Sequence, residues 1–68
     1  MANRSYHAVP TDKGWAVKRE GNQRATSVHN TQKEAWHVAR EWAKKHETSA
    51  VKHGMDGSVK EESSYEPK

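Results

Sequence analysis

One amphipathic segment limits what this chain can fold into more than any other part of it. It runs from Thr31 to Glu47 and reads TQKEAWHVAREWAKKHE. Thr31 and Glu34 have the spacing of a capping box, in which the hydroxyl of the cap accepts a hydrogen bond from the backbone N–H three residues on. Apolar residues recur at helical spacing on one side of the segment. The segment therefore predicts one amphipathic helix.

The two tryptophans of this helix are expected to have different environments. Trp42 falls near the middle of the apolar side, so we expect it in the core. Trp36 falls at the edge of that side, so we expect it to be half exposed, either covering the small alanines or contacting a partner. The apolar side as a whole contains Ala35, Val38, Ala39, Trp42 and Ala43.

Composition leaves a choice between a small folded domain and a disordered chain. The 68 residues include no Leu, Ile, Phe or Cys, and the mean hydropathy is −1.30. Such a low aliphatic content is typical of disorder. The net charge is only +3, however, and the three tryptophans lie at positions that match helix or strand periods. Since each tryptophan can bury a large area, we expect one marginally stable folded domain.

Three strands are predicted before the helix. They cover Ser5 to Pro10, Trp15 to Glu20 and Arg24 to His29, and turns rich in Gly, Asp and Asn separate them. The second strand alternates most clearly, and its Trp15 and Val17 should face the helix. Val28 of the third strand is expected on the same inward face. These segments predict a three-stranded antiparallel sheet.

A short hairpin is predicted after the helix, from Ala50 to His53 and from Ser58 to Glu62, around a loop of Gly54, Met55, Asp56 and Gly57. The expected fold class is therefore α+β, with a three-stranded antiparallel sheet, one amphipathic helix and a C-terminal β-hairpin. We expect residues 5–62 to form the domain, residues 1–4 to be a frayed terminus and residues 63–68 to be a flexible tail.

Several segments resemble a family of small bacterial and phage proteins that is known only as a domain of unknown function. The resemblance covers Tyr6 to Tyr65 and implies a compact α/β unit with no established catalytic residues. It is carried by Tyr6-His7-x-Val9-Pro10, Gly14-Trp15-Ala16-Val17-Lys18-Arg19-Glu20-Gly21, Arg24-Ala25-x-Ser27, Thr31-Gln32-x-Glu34-Ala35, Ala39-Arg40 and His53-Gly54-x-Asp56-Gly57.

Nothing in the sequence predicts catalysis, a cofactor or a metal site. The five histidines are His7, His29, His37, His46 and His53, and they include no i, i+4 pair on the helix and no cysteine partner. We expect His7 and His53 to be strand residues whose imidazoles bond to neighbours. Asp12 and Asp56 lie in predicted turns, where local capping explains them. A non-enzymatic protein is therefore expected.

A row of basic residues on the outer side of the helix is the most suggestive functional feature. Lys33, His37, Arg40 and Lys44 recur at helical spacing. One interpretation is a solvated face whose charge is partly offset by nearby glutamates. The other is contact with the phosphates of DNA or RNA, which rests on analogy with other small sheet-and-helix domains.

Two functions therefore remain open for this chain. The first is a protein-interaction module that uses a sheet edge or the region of Trp36 to bind a protein partner. The second is weak, non-specific nucleic-acid binding through the basic row. Exposed strand edges also make a homodimer an option for so small a core. No run of apolar residues approaches the length that spans a bilayer, and a cytoplasmic location with no membrane partner is expected.

Overall fold

The structure is a computed structural model that describes residues 5–22 and 24–67. Its elements are β1 (Tyr6–Thr11), β2 (Gly14–Arg19), β3 (Ala25–His29), α1 (Gln32–Lys45), β4 (Ser49–His53) and β5 (Val59–Ser64). The α+β class is confirmed. The predicted frayed residues 1–4 lie outside the described residues, as do Gln23 of the second turn and Lys68 of the predicted tail.

The sheet differs from the predicted one. It has five strands in the order β3-β2-β1-β4-β5, so the prediction of a separate three-stranded antiparallel sheet was wrong. β1 pairs antiparallel with β2 and parallel with β4, with Tyr6 opposite Ala50 in the parallel register. β2 pairs with β3 and β4 pairs with β5, both antiparallel. The C-terminal hairpin thus extends the first sheet.

The small apolar content of the hairpin explains this pairing. An isolated two-stranded hairpin is marginal in water, because it buries too little surface to offset its loss of conformational entropy. Pairing of β4 with β1 satisfies the backbone groups of both strands and places Ala50 in the core, where it is fully buried. α1 connects β3 to β4 and packs across one face of the sheet, with most of its contacts to β1 and β4.

The helix begins where the capping box predicts. The N–H of Glu34 donates to Oγ1 of Thr31 at 3.1 Å, and Thr31 has the extended backbone of an N-cap. At the other end, the N–H of Thr48 donates to the carbonyl oxygen of Ala43 at 2.9 Å. Glu47 has a φ of 55°, in the left-handed region that commonly ends a helix.

The buried side of α1 is rotated from the predicted one. Its centre is formed by Ala35, Ala39 and Ala43, which are all fully buried. Trp36 is only 6% exposed, so the prediction that it is half exposed was wrong. Trp42 is partly exposed and packs against the margin of the core, so its predicted central position was also wrong. Alanines let the helix approach the sheet closely, and the two tryptophans fill the space on either side.

The third strand has a different register from the predicted one. Trp15 lies opposite His29, and Val17 lies opposite Ser27. Because side chains alternate along a strand, Ser27 and His29 share the helix side with Trp15 and Val17, and Val28 points to the other side. Val28 is 50% exposed, so its predicted inward position was wrong. The inward positions of Trp15 and Val17 are confirmed by their packing in the core.

The last strand extends into the segment predicted as a tail. β5 continues to Ser64, two residues beyond the predicted end of the domain. The N–H of Tyr65 then donates to the carbonyl oxygen of Thr48 at 2.9 Å, and the ring of Tyr65 packs against the core. Ser49 donates from its hydroxyl to Oε1 of Glu66 at 3.2 Å. These contacts connect the end of the chain to the start of β4.

Candidate binding surfaces

The predicted basic row lies on the side of α1 that faces away from the sheet. We call this surface the outer helix face, and its residues are Lys33, His37, Arg40 and Lys44. Lys33, His37 and Lys44 are exposed, whereas Arg40 is half-buried. Nε2 of His37 lies 4.0 Å from Oε1 of Glu41, one turn further along. The four residues therefore share one surface, but their access to solvent differs.

Arg40 differs from the others because it covers Trp36. Its guanidinium carbon lies 5.4 Å from the centre of the Trp36 ring, and Nζ of Lys52 lies 5.8 Å from the same ring. Nε of Arg40 is buried and has no hydrogen-bond partner among the described residues. Cations over an aromatic face are attracted by the ring and shield it from water. Trp36 is thus covered by side chains of its own chain.

Trp42 lies on the opposite flank of the helix, in a group of stacked rings. The centre of the Trp42 ring is 5.9 Å from that of Tyr6 and 5.6 Å from that of His46. Nζ of Lys45 lies 5.4 Å from the centre of the Trp42 ring. An open groove of about 410 Å³ runs beside it, lined by His37, Val38, Glu41, Trp42 and Lys45. This groove has mixed charge and lies almost entirely on the helix.

The sheet has a second face, which α1 does not cover. We call it the open face, and strand alternation assigns to it His7, Val9, Ala16, Lys18, Val28, Val51, His53, Val59 and Glu62. Val28 lies opposite Ala16, Ala16 lies opposite Val9, and His53 lies opposite Val59. Continuing the β1–β4 register by one residue beyond Ala8 and Lys52 places Val9 beside His53. We call Val28, Ala16, Val9, His53 and Val59 the apolar row, since four of its five members are apolar and they follow one another across the five strands.

Both ends of the apolar row are exposed. Val28 is 50% and Val59 is 62% exposed, and the third large hydrophobic residue that is exposed in the described part of the chain is Met55, in the β4–β5 loop. Ala16 and Val51 are buried on the open face even though they lie outside the core cluster beneath the helix. The centre of the open face therefore contains these two buried apolar side chains beside the imidazoles of His7 and His53.

A hydrogen-bonded relay of histidines crosses the open face. Nδ1 of His53 lies 3.1 Å from the carbonyl oxygen of Gly57, and Nε2 of His53 lies 2.9 Å from Nδ1 of His7. Nε2 of His7 in turn lies 3.3 Å from Oε1 of Glu20. The prediction that the imidazoles of His7 and His53 bond to neighbours is confirmed.

The relay limits how its ring protons can be arranged. Nδ1–H of His53 donates to the carbonyl of Gly57, and Nε2–H of His7 donates to the carboxylate of Glu20. A single proton between Nε2 of His53 and Nδ1 of His7 completes the third hydrogen bond, and either ring can carry it. The relay connects β1, β4 and the residue that follows β2 with the β4–β5 loop.

Asp56 shapes the loop that accepts the last hydrogen bond of this relay. The hydroxyl of Ser58 donates to Oδ1 of Asp56 at 2.8 Å, and the N–H of Ser58 donates to the same oxygen at 3.1 Å. The first of these bonds, reinforced by the second, holds the pKa of the Asp56 carboxyl below its usual value. The predicted local capping role of Asp56 is confirmed.

Two opposite charges on the open face, Lys18 and Glu62, are not paired with each other or with another charged residue in the described part of the chain. Lys18 lies opposite His7, His7 lies opposite Val51, and Val51 lies opposite Glu62, so one row of the sheet runs from a cation on β2 to an anion on β5. Among residues 5–22 and 24–67, neither Lys18 nor Glu62 takes part in an ion pair. The row is thus polarised from one side of the sheet to the other.

The sequence pointed to the outer helix face and missed the open face. Alternation from Tyr6 and Ala8 could have assigned His7 and Val9 to the side away from the helix. No local signal, however, places β4 and β5 beside β1. As for metals, the described residues bring together no group of three or more side chains that could hold an ion.

Comparisons with known proteins give a family and a bacterial relative. The profile of the family described as "Uncharacterized protein conserved in bacteria (DUF2188)" matches residues 6–65. The chain is similar to "Uncharacterized protein YdaT" of Bacillus subtilis (strain 168), with 41% identity over 59 residues, which is 87% of this chain and 39% of that protein. The chain therefore spans less than half the length of this relative. No solved structure matches the chain. Within the described residues, no helix is long and apolar enough to cross a membrane.

Proposed function

We propose that this chain, which belongs to the bacterial family DUF2188, is a non-enzymatic module that binds a protein partner through its open face. Membership confirms the predicted resemblance to a bacterial family of unknown function, and it brings no activity with it. The region of Trp36, which was the predicted partner contact, is a weaker choice because that ring is buried. A cytoplasmic location stays a prediction.

The observation that carries this proposal is the apolar row of the open face. Val28 and Val59 expose half or more of their surface at its two ends. The row consists of four apolar side chains and His53, and charged side chains border it. A largely apolar strip of this kind across a sheet is typical of a surface that another protein covers. The groove beside Trp42 lies on α1 and not on this face, and a row of strand side chains suits a protein better than a small molecule.

The chemistry of the open face also favours protein over nucleic acid. Sheet surfaces that bind single strands use exposed aromatic rings on which bases stack. Tyr6 and Trp15 both pack on the helix side of the sheet, so the open face of the described strands has no Trp or Tyr. Its charged residues include Glu20 and Glu62 as well as Lys18, so it lacks the positive surface that phosphates require.

A pair of substitutions tests the open face directly. In the double variant Val28→Lys/Val59→Lys, two cations would have to enter a dry interface, so we expect its affinity for a partner to fall at least about tenfold. The immobilised domain is used to capture bacterial proteins, and each captured protein is then purified and titrated calorimetrically against both forms. Met55→Lys is the matched control, because Met55 is 78% exposed and lies off the apolar row.

The outcomes separate this proposal from its alternatives. Loss of affinity in the double variant with retention in Met55→Lys supports binding through the open face. Equal affinity of wild type and double variant would place the binding surface elsewhere. If the wild-type domain binds neither another protein nor itself, the proposed function is overturned. Circular dichroism of the variants checks that each one is folded.

Non-specific binding of DNA or RNA through the outer helix face is a second candidate function. It is favoured by the alignment of Lys33, His37 and Lys44 on one exposed side of α1. Each phosphate contact made by a cation releases counterions, so affinity should fall steeply with salt. Glu41 beside His37 reduces the positive field of this surface. The guanidinium of Arg40 lies over the ring of Trp36, which makes it less accessible to a phosphate.

Salt dependence tests this second candidate. If Lys33 and Lys44 contact phosphates, removal of each is expected to reduce the slope of log affinity against log salt by about 0.9 on duplex DNA, whatever its sequence. Binding is measured by fluorescence anisotropy, with Lys13→Ala as a control in the β1–β2 turn. Absence of binding by the wild type at roughly 50 mM salt, where such contacts are strongest, would remove the candidate.

A further inference from the structure

We infer that the partner of the open face is a second copy of this chain, packed sheet against sheet about a two-fold axis that runs along the strands between β1 and β4. This inference rests on the proposed function, because it uses the same surface. Two copies related in this way would form a symmetric sandwich with one helix on each outer side. The argument for a second copy is that the open face is complementary to itself.

The charges of the open face supply the first part of this complementarity. Lys18 and Glu62 are three strands apart in one row of the sheet. Adjacent strands are about 4.8 Å apart, so the two residues are separated by about 14 Å and cannot pair within one chain. A two-fold axis between β1 and β4 exchanges the positions of β2 and β5. It therefore places Lys18 of each copy over Glu62 of the other.

The apolar row supplies the second part. The same axis places Ala16 of one copy over Val59 of the other, and Val9 over His53. A small side chain thus meets the exposed valine of β5, as facing sheets about 10 Å apart require. In the neighbouring row, His7 of one copy lies over Val51 of the other. No like charges face each other in this arrangement.

The histidine relay makes the centre of this interface suitable for burial. The ring nitrogens of His7 and His53 point along the sheet, towards Glu20, towards each other and towards the carbonyl of Gly57. Their hydrogen bonds are therefore made within one chain and do not depend on water above the sheet. Oε1 of Glu20 lies 3.3 Å from Nε2 of His7, so a carboxylate stands at the end of the relay to balance a positive charge on it. Buried polar groups are tolerated when they are satisfied in this way.

The edges of the sheet are less suitable for a partner than its face. β3 has a register shift opposite Val17 and Lys18, and β5 has one opposite Lys52 and His53. Bulges of this kind twist an edge away from further pairing. Lys60, Glu61 and Glu62 also place charges along β5. Extension of the sheet by an added strand is therefore opposed at both edges.

The size of the open face sets the expected strength of the dimer. The axis brings four of the five strands into contact, because β3 has no strand opposite it. These four strands give a contact of about 19 by 18 Å on each copy, below the usual size of specific interfaces. We therefore expect a weak dimer with a dissociation constant of roughly 10 µM to 1 mM. Its dissociation is measured by sedimentation equilibrium of the full chain across that concentration range.

Charge reversal on the open face tests the geometry. Lys18→Glu and Glu62→Lys each create two repulsive contacts in a symmetric dimer, so each is expected to raise the dissociation constant about tenfold. The double variant Lys18→Glu/Glu62→Lys restores opposite charges and is expected to return the constant to within about threefold of wild type. Lys44→Glu on the outer helix face is the matched control and should leave it unchanged.

The results distinguish failure of this inference from failure of the proposed function. A double reversal that stays as weak as either single reversal would overturn the two-fold arrangement. The chain could remain monomeric up to about 1 mM while Val28→Lys/Val59→Lys still abolishes capture of another protein. This result would overturn the inference of a dimer and would still support the proposed protein-interaction module. If the monomeric chain also captures no protein, both proposals are overturned.

Discussion

Replacing Trp36 with alanine is expected to unfold the domain. The ring is buried in the core cluster beneath the helix, beside the small alanines of α1, and the chain has few other large apolar side chains to fill the cavity left behind. Removal of a buried tryptophan side chain costs about 3–5 kcal/mol. That is as much as the core of so small a domain supplies in total. The measurement is a thermal melt followed by circular dichroism.

Trp42→Ala is the control for this prediction. Trp42 is partly exposed, and its ring stacks on that of Tyr6 at 5.9 Å and on that of His46 at 5.6 Å. Loss of a stacked aromatic pair costs about 0.5–1.5 kcal/mol beyond the buried area, so this variant should melt at a lower temperature but remain folded. If Trp42→Ala unfolds and Trp36→Ala does not, the assignment of the buried side of α1 is wrong.

The helix could be predicted because its signals are local. The capping residue, the spacing of apolar positions and the basic last turn all lie within one segment, and the bounds of α1 agree with them to within two residues. The buried side of the helix was less well predicted, because Trp42, as the largest residue of the apolar side, was expected at its centre. In the structure the alanines face the sheet directly, since a helix with small residues at its centre can approach more closely. Trp36 and Trp42 lie on either side of them.

The sheet could be predicted only where its pairing is local. The hairpin of β1 and β2 follows from an alternating strand and a short turn. β3 has a single valine among polar residues, which specifies its register weakly, and a bulge near its start shifts the pairing further. The parallel pairing of β1 with β4 joins residues more than forty positions apart, such as Tyr6 and Ala50. No local pattern encodes such a contact.

The same limit applies to the candidate binding surfaces. The outer helix face lies on one helix, so helical spacing alone identified Lys33, His37, Arg40 and Lys44. The open face is assembled from all five strands, and the charges of Lys18 and Glu62 become related only once β1 and β4 are paired. A surface made by non-local pairing becomes visible only in the folded structure.

Gly14→Ala is expected to destabilise the domain far more than Gly57→Ala. Gly14 begins β2 with a φ of +128°, and a Cβ at this position would lie 2.5 Å from the carbonyl oxygen of His29. The backbone conformation costs a residue other than glycine about 1–3 kcal/mol, and the steric collision adds a similar amount. Because the obstacle is backbone, it can be relieved only by moving β3 away from β2.

Gly57 provides a control that separates the two costs. It also has a positive φ, of +87°, but no atom lies within 4 Å of an added Cβ. Gly57→Ala should therefore lose only the backbone preference of glycine, roughly 1–2 kcal/mol. Urea denaturation of both variants measures the difference. If Gly14→Ala and Gly57→Ala lower the free energy of unfolding equally, β3 moves away from the new methyl group at little cost. In that case the β2–β3 pairing would be too pliable to hold Val28 beside Ala16, at the end of the apolar row.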